Sequence, residues 1–240
     1  MRIAGKRAVV TGAAVGTGRA IAERLAAEGA EVVLADVQAK AGAEVAAAIG
    51  PAARFVRTDL RDDLAVSALL GCEPDILVNN AGGGPQLRPC FPDADPERWT
   101  ASLELNLRAP MLATQLVLES MRRAGGGAVI NIGSTAGAGY GPHVSPEYSA
   151  AKAGLIRFTT TLAGLRESHG VRVNCIVPDW VATDRGLAEQ AALPANERGP
   201  DLVPLAVLTD AVVRFVTDES LAGRVLRLDR GEAPVLSPTP

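Results

Sequence analysis

Short runs of β-branched and other apolar residues alternate along the chain with longer, alanine-rich stretches in which apolar positions recur at helical spacing. Lys6–Thr11, Glu31–Asp36, Ala53–Thr58, Asp75–Asn79, Ala128–Ile132, Val171–Val177 and Arg224–Leu228 read as strands. Gly16–Glu28, Val37–Ile49, Pro96–Arg123 with a break near Pro110, and Glu147–Ser168 read as helices between them. Strands that are apolar almost throughout belong in a sheet covered on both faces, and right-handed crossovers place the helices there. The pattern therefore predicts an α/β fold with a single doubly wound parallel sheet of about seven strands and helices on both faces. Neither a repeat nor a shift in composition marks a boundary, so residues 1–240 are expected to form one domain. The stretches Gly82–Pro92, Gly139–Pro146 and Asp184–Pro204, rich in Pro and Gly, follow expected strand ends, which is the ligand-binding edge of an open parallel sheet.

Composition narrows the function classes. With 240 residues, 48% of them apolar and 21% charged, the chain is an ordinary globular one, which excludes disordered and disulfide-scaffold readings. The net charge of -3 and the absence of any basic run longer than Arg122-Arg123 argue against a nucleic-acid partner. No apolar stretch reaches the roughly 18 residues of a membrane span, and Met1–Gly12 has no signal-peptide pattern. Cys72, Cys90 and Cys175 are odd in number and widely separated, so free thiols, a cytoplasmic location and no metal site are expected. Aromatic residues make up only 3%, and the lysines are Lys6, Lys40 and Lys152 alone. A Tyr or Lys falling in a motif is correspondingly informative.

Two stretches carry candidate chemistry. Thr11-Gly12-Ala13-Ala14-Val15-Gly16-Thr17-Gly18 lies between the first strand and the first helix, where glycines let the backbone approach a pyrophosphate resting on helix-end amides. An ordinary strand-to-helix turn has similar glycines. Asp36 tips the balance, because it ends the second strand about 20 residues on, where a carboxylate accepts hydrogen bonds from an adenosine ribose. Its charge repels a 2′-phosphate, and neither Val15 nor Val37 supplies a compensating cation, so NAD is expected in preference to NADP. Farther along, Tyr148 and Lys152 stand at i and i+4 on a helix, hence on one face. An ammonium beside a phenol lowers its pKa from about 10 toward the working range.

Taken together, the Thr-Gly-x-x-x-Gly-x-Gly loop, Asn79-Asn80-Ala81-Gly82 after the fourth strand, Ser134 after the fifth and Tyr148-x-x-x-Lys152 resemble the short-chain dehydrogenase/reductase family, in order and spacing from Lys6 to about Gly231. The resemblance implies a Rossmann-type domain that exchanges hydride between NAD(P) and an alcohol or ketone. By position it implies Tyr148 as general acid/base, Lys152 as the group that tunes it and holds the nicotinamide ribose, and Ser134 as the group that polarises the substrate oxygen. Asn106 matches a helix-interrupting Asn that holds a water in a relay to Lys152; an Asn that merely kinks the helix ahead of Pro110 has the same signature. Asp59 and Leu60 match the adenine-contacting pair, Asn80, Ala81 and Gly82 the turn after the fourth strand, and Pro178, Val181 and Thr183 the nicotinamide side. A homotetramer or homodimer, built on the long helices and the last strand, is likewise implied, whereas Trp99 matches a family position but reads as packing.

The chain departs from that pattern in three places. Asp179-Trp180 follow Pro178 where the family usually has Gly, so a positive φ at Asp179 would be strained. The Asp59–Asn79 segment is short, which trims a surface helix, and the substrate loop at about 184–201 is brief. Gln86, His143 and Glu147 flank the substrate side and read equally as loop residues; Ser134 lacks a G-x-S-x-G elbow, because Ile132 stands at the first Gly. Asp179 and the short loop motivate an alternative, a cofactor-binding non-catalytic regulator or scaffold on the same fold. Retention of Asn106, Ser134, Tyr148 and Lys152 favours the enzyme.

Overall fold

The apolar strands are apolar throughout because each one feeds two cores. A computed structural model, describing residues 1–83 and 89–238, orders the chain as β1 (Arg7–Thr11), α1 (Gly16–Ala27), β2 (Glu31–Asp36), α2 (Ala39–Ile49), β3 (Ala53–Arg57), α3 (Asp63–Leu70) and β4 (Ile76–Asn79). There follow α4 (Pro96–Leu103), a π-turn (Glu104–Arg108), α5 (Ala109–Arg123), β5 (Gly127–Ile132), α6 (Pro146–Thr161), α7 (Leu165–His169) and β6 (Val171–Pro178). The chain closes with α8 (Asp184–Ala192), α9 (Leu205–Thr217), β7 (Val225–Leu228) and β8 (Val235–Leu236). The strands form one sheet in the order β3-β2-β1-β4-β5-β6-β7-β8, parallel except for β8. Val10, Leu34, Val78 and Ile130 point to one face, under α1 and α9 with Ile21, Leu25 and Phe215. Val9, Val33, Leu77 and Val129 point to the other, under α3 and α5 with Leu69, Val117 and Met121. Alternate side chains of each strand thus go to opposite cores.

The predicted seven-stranded parallel sheet is present, with one addition. The chain beyond β7 folds back, and β8 pairs antiparallel with Leu226 and Arg227, closing the outer edge of β7. One helical expectation shifts, since α6 ends at Thr161 ahead of the separate α7. The long helix breaks at Glu104–Arg108, near Pro110 as expected, and the short segment after β3 carries the eight-residue α3. Its start is fixed by Asp62, whose carboxylate accepts from the amides of Leu64 and Ala65. The loop expected at 184–201 carries the nine-residue helix α8, and α9 follows it. Among the described residues, no helix is long and apolar enough to cross a membrane.

One buried polar network ties the sheet centre to the helices that bear the candidate site. Asn131 on β5 is fully buried; its oxygen accepts from the Asn79 amide on β4 at 2.9 Å, and its own amide donates to the Thr159 hydroxyl on α6 at 2.9 Å. The Thr159 hydroxyl donates to the Leu155 carbonyl at 2.9 Å, and the Thr114 hydroxyl donates to the Pro110 carbonyl on α5 at 2.7 Å. Each polar atom is satisfied inside the core, so the network locks the positions of α5 and α6 against the sheet. Replacing Asn131 with Ala leaves the Asn79 amide and Thr159 short of a partner and is expected to cost about 1–3 kcal/mol of unfolding free energy, read as a lower urea midpoint with an unchanged slope.

Candidate active site

The site lies at the carboxyl edge of the sheet. Gly12 and Gly16 take φ of +63° and +56°, which turns the chain from β1 into α1 within a few residues. A Cβ on Gly18 would overlap the Gly12 carbonyl and the Asn80 amide, so only glycine lets the helix start this close to the turn. Asn80 holds the turn from the other side, donating its side-chain amide to the carbonyls of Thr11 and Gly12 at 2.9 and 3.0 Å, while the amides of Asn80 and Ala81 donate to the Thr11 hydroxyl. The first turn of α1, with Thr17 in it, contains no acidic residue, and Val15 at its N-cap offers no side-chain cap. Its amides therefore face outward without a protein acceptor from a cap, which is the arrangement that takes an anion.

Asp36 closes β2 with a carboxylate that is 8% exposed. It accepts from the Ala14 amide and from the Gln38 amide, both at 3.0 Å, which pins the glycine turn and leaves acceptor capacity for further donors. Val15 and Val37 flank it, exposed and uncharged. Asp59 is at the rim, where the Arg61 guanidinium hydrogen-bonds it and holds its carboxyl below the usual range; the Leu60 side chain turns into the core.

Tyr148, Lys152, Ser134 and Asn106 converge from three elements. Lys152 on α6 is 4% exposed, donates to the Ile132 carbonyl at 2.8 Å and lies 5.7 Å from the centre of the Tyr148 ring. Ser134 begins a 3-10 turn, Thr135–Gly137, and its hydroxyl accepts from the Ala136 amide. A Cβ on Gly137 would overlap the backbone of Lys152 and Ala153, so this glycine sets how closely the serine turn approaches the Tyr–Lys helix; Ser149 adds a 2.6 Å bond to the Ala136 carbonyl. Asn106 is fully buried in the π-turn, where its amide donates to the carbonyls of Ser102 and Gly83 and its oxygen accepts from Gly83. A Cβ on Gly82 would meet that oxygen at 2.6 Å and the Lys152 Nζ at 3.3 Å, so Gly82 runs between them.

Pro110 explains the π-turn. It stands four residues after Asn106 and has no N–H to offer that residue's carbonyl, so a regular helix cannot continue through it. The Ala109 amide instead reaches back five residues to Glu104.

The electrostatics differ from the expectation of a phenol with a lowered pKa. Burial pushes the Tyr148 hydroxyl up; the Ser134 hydroxyl and the charge of Arg185 on α8 only partly oppose it. Burial also lowers Lys152 to about 8 and raises the neighbouring Cys175 thiol to about 12. The physical reason is that desolvation disfavours the charged form of all three groups, and the mutual attraction of Lys152 and Cys175 opposes it only in part.

Where a nicotinamide is expected, the anticipated strain is absent. Asp179 does not adopt a positive φ; its amide donates to Leu228, and its carboxylate pairs with Arg230 at 3.0 Å. Pro178 is the last residue of β6, Val181 bridges to Val203, and Thr183 caps α8 through the Gly186 amide. A Cβ on Gly16 would stand 3.4 Å from the Thr183 methyl, so the first turn of α8 lies next to the glycine turn. His143 stacks on Tyr148 with ring centres 6.0 Å apart, and Glu147 accepts from the Ser145 hydroxyl and the Phe91 amide. Trp99 is half-buried on α4, and Gln86 lies outside the described residues. Gly137, Arg185 and Cys175 are site neighbours that sequence patterns did not single out; of these, only Gly137, three residues after Ser134, left a readable signal.

Residues 6–192 match the family model described as short chain dehydrogenase. The chain is 38% identical over 243 residues to cis-4-hydroxycyclohexanecarboxylate dehydrogenase of Sinomonas cyclohexanicum, covering 95% of this chain and 96% of that one. It is 34% identical over 239 residues to galactitol 2-dehydrogenase of Agrobacterium fabrum, covering 93% and 90%. The structure is similar to that of 3-ketoacyl-(acyl-carrier-protein) reductase from Brucella melitensis complexed with NADH, with a TM-score of 0.81, 27% identity and coverage of 95% and 97%.

Two outcomes test the geometry. Gly137→Ala forces the serine turn away from α6 and is expected to lower the unfolding free energy by about 2 kcal/mol or more, measured by chemical denaturation. Lys152 is depressed to about 8, so above that pH the folded chain has released a proton that the unfolded chain keeps until near 10.5. Its contribution to stability therefore rises with pH across that window and is lost as pH falls through about 8. The stability difference between the natural chain and Lys152→Met, followed from pH 7 to 10 by urea unfolding, is expected to grow in favour of the natural chain.

Proposed function

The chain belongs to the short-chain dehydrogenase/reductase family and is an oxidoreductase of that family, and from that premise we propose that it interconverts a secondary alcohol and a ketone, with NAD as its cofactor. The observation that carries this reading is the convergence of Ser134, Tyr148 and the buried Lys152 on one edge of the sheet, beside a glycine turn with no room for a Cβ at Gly18. Relatives named for dehydrogenating a hydroxycyclohexanecarboxylate and galactitol support a hydroxyl substrate.

The residues present fit a dinucleotide. Gly12, Gly16, Thr17 and Gly18 with the open amides of α1 suit a pyrophosphate, and Asp36 suits a ribose diol. Asp59 and Leu60 border the adenine end, Asn80, Ala81 and Gly82 the middle, and Pro178, Val181 and Thr183 the nicotinamide end. Preference for NAD rests on the buried carboxylate of Asp36 and on the uncharged, exposed Val15 and Val37, since a 2′-phosphate there meets a negative charge and no cation. When bound, the cofactor supplies or accepts the hydride.

The protein's own part is proton transfer and charge placement. Ser134 donates to the substrate oxygen as charge develops on it, and Tyr148 gives or takes the proton on that oxygen. Burial makes the phenol a weaker acid, and the Lys152 ammonium, 5.7 Å from the ring centre, is the group assigned to offset that as the proton moves. To Asn106, whose carbonyl receives no donor from Pro110, we assign the water that passes protons to Lys152. The non-catalytic alternative loses its motive, because Asp179 is paired and unstrained and the first half of the short loop is a formed helix.

We further assign the apolar groove of about 750 Å³ between α5 and α6, lined by Leu107, Met111, Leu112, Leu118 and Phe158, to a second copy of the chain.

An absorbance screen of NAD-linked turnover across secondary alcohols and ketones tests the function. Tyr148→Phe is expected to lower turnover by about 10²–10⁴-fold while NADH still binds; retained turnover contradicts the mechanism. NADH is expected to bind more tightly than NADPH, with the preference reduced in Asp36→Ala; equal binding in the natural chain overturns the cofactor assignment.

A further inference from the structure

The chain leaving β6 is fastened by an ion pair that the glycine of the family pattern could not make. Asp179 accepts from Arg230 Nε at 3.0 Å, and its other oxygen accepts from the Trp180 amide at 2.8 Å. The Arg230 guanidinium also lies 5.6 Å from the centre of the Trp180 ring. Both charged side chains are three-quarters buried, at 24% and 25% exposure. The nearest other carboxylate in sequence, Asp229, is taken by Arg227 at 2.7 Å. Beyond the pair, Arg230 Nη1 donates to the Arg198 carbonyl at 3.4 Å, and Pro200 packs so closely on Gly231 that a Cβ there would sit 3.2 Å away. Residues 193–203 are themselves braced. Arg198 donates to the carbonyls of Ala191 and Leu193 at the end of α8, and the Gln190 amide spans the carbonyls of Arg198 and Pro200. At the base, Val203 donates to Trp180 and accepts from Ala182.

We infer that Asp179 and Arg230 form a clamp that holds Pro178–Thr183 and the segment 193–203 in one closed arrangement, and that its release sets the rate at which the dinucleotide leaves. Val181 and Thr183 lie between the two fastened points, and Thr183 is the residue beside the glycine turn, so an unfastened loop frees the wall nearest that turn. Asp179 and Arg230 are positioning residues, since neither reaches Tyr148 or Ser134. The second half of the inference rests on the cofactor reading above; the first half does not.

The test uses Asp179→Asn, Arg230→Gln, the double variant and the charge-swapped pair Asp179→Arg with Arg230→Asp. The readouts are the rate of trypsin cleavage after Arg198 and the rate of NADH release by stopped-flow fluorescence. Each single variant is expected to speed both about tenfold, with the double no faster than either single and the swapped pair partly restored, as for two groups acting through one contact. Raising salt is expected to speed cleavage of the natural chain and leave the double variant unchanged, which needs no destabilised single variant. Additive effects, or cleavage unmoved by substitution and salt, overturn the clamp. If the natural chain does not bind NADH, the cofactor reading fails while cleavage still decides the clamp; faster cleavage with unchanged NADH release overturns the gating role alone.

Discussion

Everything at the carboxyl edge of this sheet depends on backbones that approach more closely than a side chain allows. Gly18 seats α1 on the Gly12 carbonyl, Gly82 threads between the Asn106 oxygen and the Lys152 amine, and Gly137 lays the serine turn on the backbone of α6. These three contacts bring β1, β4, β5 and α6 within reach of a single ligand. The buried amides of Asn79 and Asn131 hold the same elements from below, through hydrogen bonds that have no solvent alternative. Close packing and satisfied polar groups thus specify the site before any of its titratable residues is considered.

Burial then determines how those residues behave. Tyr148 is raised and Lys152 lowered, both because charge is disfavoured where water is scarce. In the chain alone at neutral pH, Tyr148 is therefore uncharged, while Lys152, lowered only to about 8, keeps its ammonium. The positive charge that the proposed reaction needs at the phenol comes from Lys152, from Arg185 on α8 and from whatever binds between them. The Asp179–Arg230 pair belongs to the same picture, because it fixes the loop from which α8 and its arginine extend.

Period and composition made the fold legible. Continuous apolar strands could be covered only on both faces, and the positions of β1 to β7 followed from the pattern. The site was legible wherever chemistry demands a particular residue at a particular spacing, as at Gly12 to Gly18, at Asp36 and at Tyr148 with Lys152. What lay beyond the pattern was long-range. Nothing local to Arg230 says that it pairs with Asp179, fifty-one positions away, and nothing local to Val235 says that it returns to β7. The π-turn was half legible, since Pro110 announced a break nearby without showing that it would take the form of the five-residue π-turn Glu104–Arg108. Likewise, spacing placed an amine near a phenol without showing that the amine would hydrogen-bond Ile132.

The proposed reactive group of this site is a half-buried phenol, raised by burial and waiting on nearby positive charge. With only Tyr140 and Tyr148 in the chain, it can be measured directly. In Tyr140→Phe, the ultraviolet difference absorbance of tyrosinate reports Tyr148 alone. Ionisation is expected above the free phenol value of about 10 in the protein alone, moving down when NAD is added. Ionisation at or below that value without the dinucleotide, or an unchanged midpoint with it, would rule Tyr148 out as that group.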